Sequence, residues 1–167
     1  MAAGATYEPI ATQTLTSSAA SISFTSIAAT YTDLRVVLIG TSDDYASIRY
    51  NNDSGANYSF TNLYGNGATA ASNRYTAATE WYPYVPNPMS TTIPTFMQVD
   101  IFSYAGSTYK TGLATVSADK NGSGFTNNSV GLWRNTAAIT RVDLLALYGS
   151  GTFLTGTRAT LYGIKAA

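Results

Sequence analysis

The sequence predicts an all-β protein, an antiparallel two-sheet β-sandwich of jelly-roll-like form with about nine or ten strands. Three observations lead there. Short segments rich in Val, Ile, Thr, Tyr and Phe recur along the chain, and these side chains suit a pleated, half-buried surface. Turn-forming clusters such as "NNDSGAN", "AGST", "DKNGSG" and "GSG" stand between them, supplying the Gly and Asn conformations that tight reversals need. No stretch keeps the 3.6-residue period of a long helix. At 167 residues the chain is expected to form a single domain, since a chain of about 150 residues buries roughly 70% of its unfolded surface.

The strands are justified in order. In the first part they are placed at 8 to 15 ("EPIATQTL"), 21 to 27 ("SISFTSI"), 33 to 42 ("DLRVVLIGTS"), 46 to 52 ("ASIRYNN") and 57 to 65 ("NYSFTNLYG"). The second part supplies 95 to 104 ("TFMQVDIFSY"), 109 to 118 ("YKTGLATVSA"), 129 to 135 ("SVGLWRN"), 139 to 148 ("ITRVDLLALY") and 157 to 165 ("TRATLYGIK"). Residues 66 to 94 show no clear alternation and hold four of the five prolines. Long connections of this kind are usually functional or docked, so this segment is expected to be an interaction loop.

Two strands carry apolar residues on both faces. In "DLRVVLIG" Leu34, Val36 and Leu38 form one face, and the other ends in Val37 and Ile39. In "TRVDLLAL" Val142, Leu144 and Ala146 form one face, and the other ends in Leu145 and Leu147. A sandwich strand has one face for its own core, so Val37, Ile39, Leu145 and Leu147 call for a second cover, from the long loop or from another subunit.

Composition excludes many function classes. The chain has no histidine and no cysteine, which removes imidazole bases, thiol nucleophiles, disulfides and zinc sites built on nitrogen or sulfur. Net charge is zero with nine basic and nine acidic residues, so nothing marks a nucleic-acid partner or an anionic membrane. No run is long and apolar enough to span a bilayer, and the N-terminus lacks the basic and apolar regions of a signal peptide, which leads us to expect synthesis in the cytoplasm. Only 11% of residues are charged against about 25% in a typical soluble domain. Such a surface suits a protein packed among other copies or on a large partner.

The candidate sites are few. A glycosidase needs two carboxylates with different environments; the nine here fall in strands and turns without a pairing motif, and no catalytic residue, metal or cofactor is expected. The turn "NNDSGANYS" offers Asn51, Asp53, Ser54 and Asn57 as oxygen ligands, but it lacks EF-hand spacing and an Asx turn accounts for the same residues. The string "EWYPYVP" groups Trp81, Tyr82 and Tyr84. These aromatics are candidates for a protein contact, for capping the end of the sandwich, or for stacking on a sugar. In "GLWRNTAAITRVDLLAL" the alternation puts Trp133 in the core and Arg134 at a strand end, where backbone carbonyls or a neighbouring subunit would receive it.

Five pieces in order span nearly the whole chain: "YEPIATQTL", "SIAATYTDLRVVLIG", "NNDSGANYS", "GLWRNTAAIT" and the closing "LYGIK". Together they resemble a group of small virion proteins of tailed bacteriophages, including phages of cyanobacteria. Where that group reads "SIPATYTDLR" this chain reads "SIAATYTDLR", so one corner lacks a stiffening proline. The resemblance implies a β-sandwich structural protein with no catalytic motif, mounted on the capsid surface or in a tail fibre. On this basis the expected function is capsid decoration: binding the major capsid protein, stabilising the head from outside, and forming a homotrimer suited to capsid three-fold positions. The alternative is a receptor-binding or tail-tip module that recognises a host glycan. A chain starting close to its first strand, with no shaft, favours decoration; a depolymerase is disfavoured by the scattered acids.

Overall fold

The computed structural model describes residues 6–83, 88–147 and 151–165. Its eleven strands are β1 (Tyr7–Thr14), β2 (Ser21–Phe24), β3 (Asp33–Gly40), β4 (Ala46–Tyr50), β5 (Tyr58–Gly65), β6 (Ala70–Ala78), β7 (Thr95–Phe102), β8 (Lys110–Asp119), β9 (Gly124–Trp133), β10 (Val142–Ala146) and β11 (Arg158–Ile164). They form an eight-stranded sheet in the order β1-β11-β3-β7-β8-β9-β5-β6 and a three-stranded sheet in the order β2-β10-β4. These strands pair antiparallel throughout.

The fold is the expected all-β antiparallel sandwich, and its wrapping is jelly-roll-like. The chain changes sheet at every step from β1 to β5, and again from β9 to β10 and from β10 to β11, so that β1-β11-β3-β7 belongs to one layer and β2-β10-β4 to the other. Trp81 extends the smaller layer: Ile48 N donates to Trp81 O at 2.8 Å and Trp81 N to Ile48 O at 2.9 Å. Hairpins in the middle of the chain widen the large sheet alone.

Alternation decides what lies between the layers. Leu34, Val36 and Leu38 of β3, Met97, Val99 and Ile101 of β7, and Ala159 and Leu161 of β11 are buried. The small sheet contributes Ile22, Phe24, Ile48, Val142 and Leu144 to the same core. On β8 and β9 the inward positions shrink to Gly112, Ala114, Ser129 and Gly131, all buried. That shortfall of side-chain volume leaves the place Trp81 fills.

Two expectations change. Residues 66 to 94 are not one long loop: they contain β6, a full edge strand paired with β5. Its string "AASNRYTAA" is small and polar, and an edge strand with mostly exposed residues needs no apolar alternation to hold it. Strand β9 begins at Gly124 and not near 129, because Thr126 and Asn128 face out while Phe125 and the polar Asn127 are buried.

Candidate functional site

The aromatic cluster expected at an interface divides. Trp81 is 1% exposed and belongs to the core, which corrects its reading as a contact residue. Its Nε1 donates to Ser129 Oγ at 2.8 Å, and a Cβ built on Gly131 or Gly112 would fall 2.4 or 2.8 Å from the indole. The backbone bridge to Ile48 pulls it inward. Tyr82 is half-buried and meets Phe60 edge-on at 5.0 Å and Tyr75 at 6.2 Å. Tyr84 lies outside the described residues.

The turn at 51 to 57 is wired into the fold. Asp53 accepts from Trp133 Nε1 at 2.7 Å, from Asn57 Nδ2 at 2.9 Å and from Gly55 N at 2.9 Å. Burial opposes ionisation of Asp53, but these donors outweigh it and hold the carboxyl below its usual value. Asn51 Oδ1 accepts from Thr140 N and Arg141 N while its Nδ2 donates to Ala138 O. Of the oxygens that looked like cation ligands, those of Asn51 and Asp53 are thus engaged by N–H donors, the Asn57 amide is itself one of the donors, and Ser54 is exposed. Trp133 is 1% exposed and packs edge-on against Tyr50 at 5.6 Å. Arg134 donates through Nη2 to Ala56 O at 2.5 Å, a backbone carbonyl.

Each of the nine carboxylates accepts a hydrogen bond from the fold. Glu8 meets Lys165, Glu80 meets Arg49, Asp100 meets Arg35, and Asp143 meets Arg141 and Ser23. Main-chain N–H groups serve Asp33, Asp43, Asp44 and Asp119, and Asp53 is the ninth. Among the described residues no group of three or more His, Cys, Asp or Glu could hold a metal.

What remains is a surface: the outward face of the eight-stranded sheet. In register across it run Arg35, Asp100, Leu113, Val130 and Thr61, and beside that row Val37, Gln98, Thr115, Asn128 and Leu63. Leu113 and Val130 face each other on adjacent strands and are 51% and 43% exposed, with Leu63 at 61%. They line a shallow depression of about 490 Å³ together with Thr61, Gln98 and Thr115. Several polar groups around it bond one another. Arg35 Nη2 donates to Asp100 Oδ2 at 3.0 Å, Gln98 Nε2 to the same oxygen at 3.1 Å, Thr115 Oγ1 to Asn128 Oδ1 at 3.0 Å and Arg74 Nη1 to Thr61 Oγ1 at 2.9 Å.

The other residues expected to need a cover separate likewise. Ile39 is 41% exposed and Val37 half-buried, both on this outer face. Leu145 is half-buried beside the Arg49–Glu80 pair. Leu147 is buried, which corrects its reading as a contact residue: the chain leaves β10 at Ala146, and Leu147 N donates to Tyr45 O at 2.8 Å. The exposed trio on β5, β8 and β9 escaped the sequence reading, because the three come from separate strands and only the register brings them together.

The arrangement offers desolvation of aliphatic side chains beside polar groups that bond one another, which is the chemistry of protein docking. No protein-family model matches the chain, and no curated protein matches it.

Proposed function

We propose that the protein is a structural component of a tailed-phage virion, a capsid decoration protein that binds the major capsid protein and stabilises the head from outside. The carrying observation is the uncovered group Leu63, Leu113 and Val130 on a broad sheet face, with the Arg35–Asp100 ion pair beside them. Covering these half-exposed side chains contributes on the order of 1 kcal/mol each, and many copies on one shell multiply a modest affinity. The resemblance to small phage virion proteins supports the same reading, as does a carboxylate set engaged throughout by the fold. The protein acts by binding and not by catalysis, without cofactor or metal.

Cryo-electron microscopy of the intact particle tests this reading. Density for the sandwich on the outer capsid, with the β8 and β9 face toward the shell, is the expected result. Density at the tail tip would favour the glycan-binding alternative. Leu113→Glu with Val130→Glu is expected to leave the melting transition in place and to abolish retention on purified heads. Undiminished retention would remove this face from the reading.

A further inference from the structure

Sheet edges are where a β-protein meets unwanted partners, because a row of unpaired N–H and C=O groups templates another strand. The two sheets have four edges, β1, β6, β2 and β4. Three of them are guarded. On β1, Pro9 has no N–H, the register slips between Pro9 and Ala11, and Glu8 is paired with Lys165 at 2.7 Å. β2 is four residues long, and the side chain of Gln13 takes up the Ser23 carbonyl. β4 is closed by the backbone of Trp81. β6 is the least guarded: its nine residues contain no proline and one charge, Arg74, its register shift lies near its C-terminal end, and no described strand lies beyond it.

A bulge limits the open ladder. Phe60 faces Tyr75 while Tyr58 faces Ala78, so β6 carries an extra residue near Ala77, whose φ is 56°. The regular stretch is therefore Ala70 to Tyr75. Its inward side chains include Tyr75, 40% exposed and stacked on Phe60 at 4.9 Å, and Asn73, whose Oδ1 accepts from Asn62 Nδ2 at 3.0 Å. On the outward side are Ser72 and Arg74.

We infer that β6 is a homodimer interface, with the β6 strands of two copies pairing antiparallel about a two-fold axis and joining their large sheets. Keeping each sheet face continuous requires the axis to pass where a residue meets its own copy. An axis at Arg74 sets two cations opposite each other, which is destabilising. An axis at Ser72 leaves Tyr75 facing nothing within the regular stretch. An axis at Asn73 sets Tyr75 opposite the partner's Ala71 and Arg74 opposite the partner's Ser72. Large then meets small, and each strand's single charge meets a hydroxyl. This self-complementarity is why a second copy fits the edge better than a foreign strand.

The pairing is open to a charge test at Ser72, which is exposed. Sedimentation equilibrium across a concentration series should show a monomer–dimer equilibrium for the unaltered protein. Ser72→Glu places a carboxylate opposite Arg74 twice and should tighten it. Ser72→Lys should weaken it by roughly tenfold or more, and adding Arg74→Glu to Ser72→Lys should restore it, all with unchanged thermal melts. A monomer at every concentration, a trimer, or a dimer equally strong with Lys and with Glu at position 72 overturns the inference. Where the protein sits in a virion does not enter this measurement, so the decoration reading can fail while the dimer stands.

Discussion

Trp81 and Trp133 are each held by one side-chain acceptor, Ser129 and Asp53, and each depends on what its neighbours lack or donate. Gly131→Ala would push a methyl into the Trp81 indole, and overpacking of this kind costs about 1–3 kcal/mol, read as a lower denaturation midpoint in urea. Asp53 has its pKa lowered, so it binds fewer protons folded than unfolded near its ordinary value. Its contribution is present above an unfolded pKa of about 3.9 and is lost as pH falls through the lower folded one. The stability difference between the unaltered protein and Asp53→Asn should shrink in acid accordingly; a constant difference would contradict it. Tyr50 and Tyr58 behave oppositely. Burial raises both hydroxyl pKa values, so stability is present below about pH 10 and is lost as pH rises past it. Tyr58→Phe, which also strips the acceptor from Tyr50 N, should be less stable at neutral pH and show a shallower alkaline decline.

Elements are distinguished mainly by what their borders do. β1 and β6 flank the same sheet, yet one is blunted by a proline and a register slip and the other is regular over its first six residues. Pro9→Thr should restore a donor to the β1 edge and raise the rate of turbidity growth on concentration, whereas no change would mean that the bulge alone suffices. Loops are tied to strands by single groups. Lys110, at the start of β8, is 1% exposed and gives its Nζ to the carbonyls of Gly106, Thr108 and Thr136. Nothing in the sequence marks this lysine as buried, since its three partners are main-chain oxygens and carry no residue signature.

The whole molecule is closed by pairings between distant parts of the chain. β11 lies between β1 and β3, with Ala159 and Leu161 fully buried, so the large sheet is incomplete until the last strand arrives. Removing residues 158 to 167 should therefore abolish the cooperative unfolding transition and not merely lower it, as followed by circular dichroism. Long-range strand pairing also makes folding slow, and refolding from urea is expected on the millisecond-to-second scale or slower. The broad outer face is a property at this scale as well: Leu63, Leu113 and Val130 come from three strands and are neighbours only in the finished sheet.

Much of this architecture follows from local order in the chain. The alternation in "DLRVVLIG" and "TFMQVDIF" is enough to assign strands and their inner faces, because a period of two admits one way of burying Leu34, Val36, Met97 and Val99. Absence of His and Cys and a neutral charge balance likewise narrow the chemistry without any structure. Tertiary structure alone decided the rest. Trp81 is core because Gly112 and Gly131 leave room for it, Leu147 is buried where its N–H meets the Tyr45 carbonyl, and β6 is a strand because β5 offers it a ladder. In each case the determining partner is remote in sequence, and side-chain pattern records which face a residue takes but not what stands opposite it.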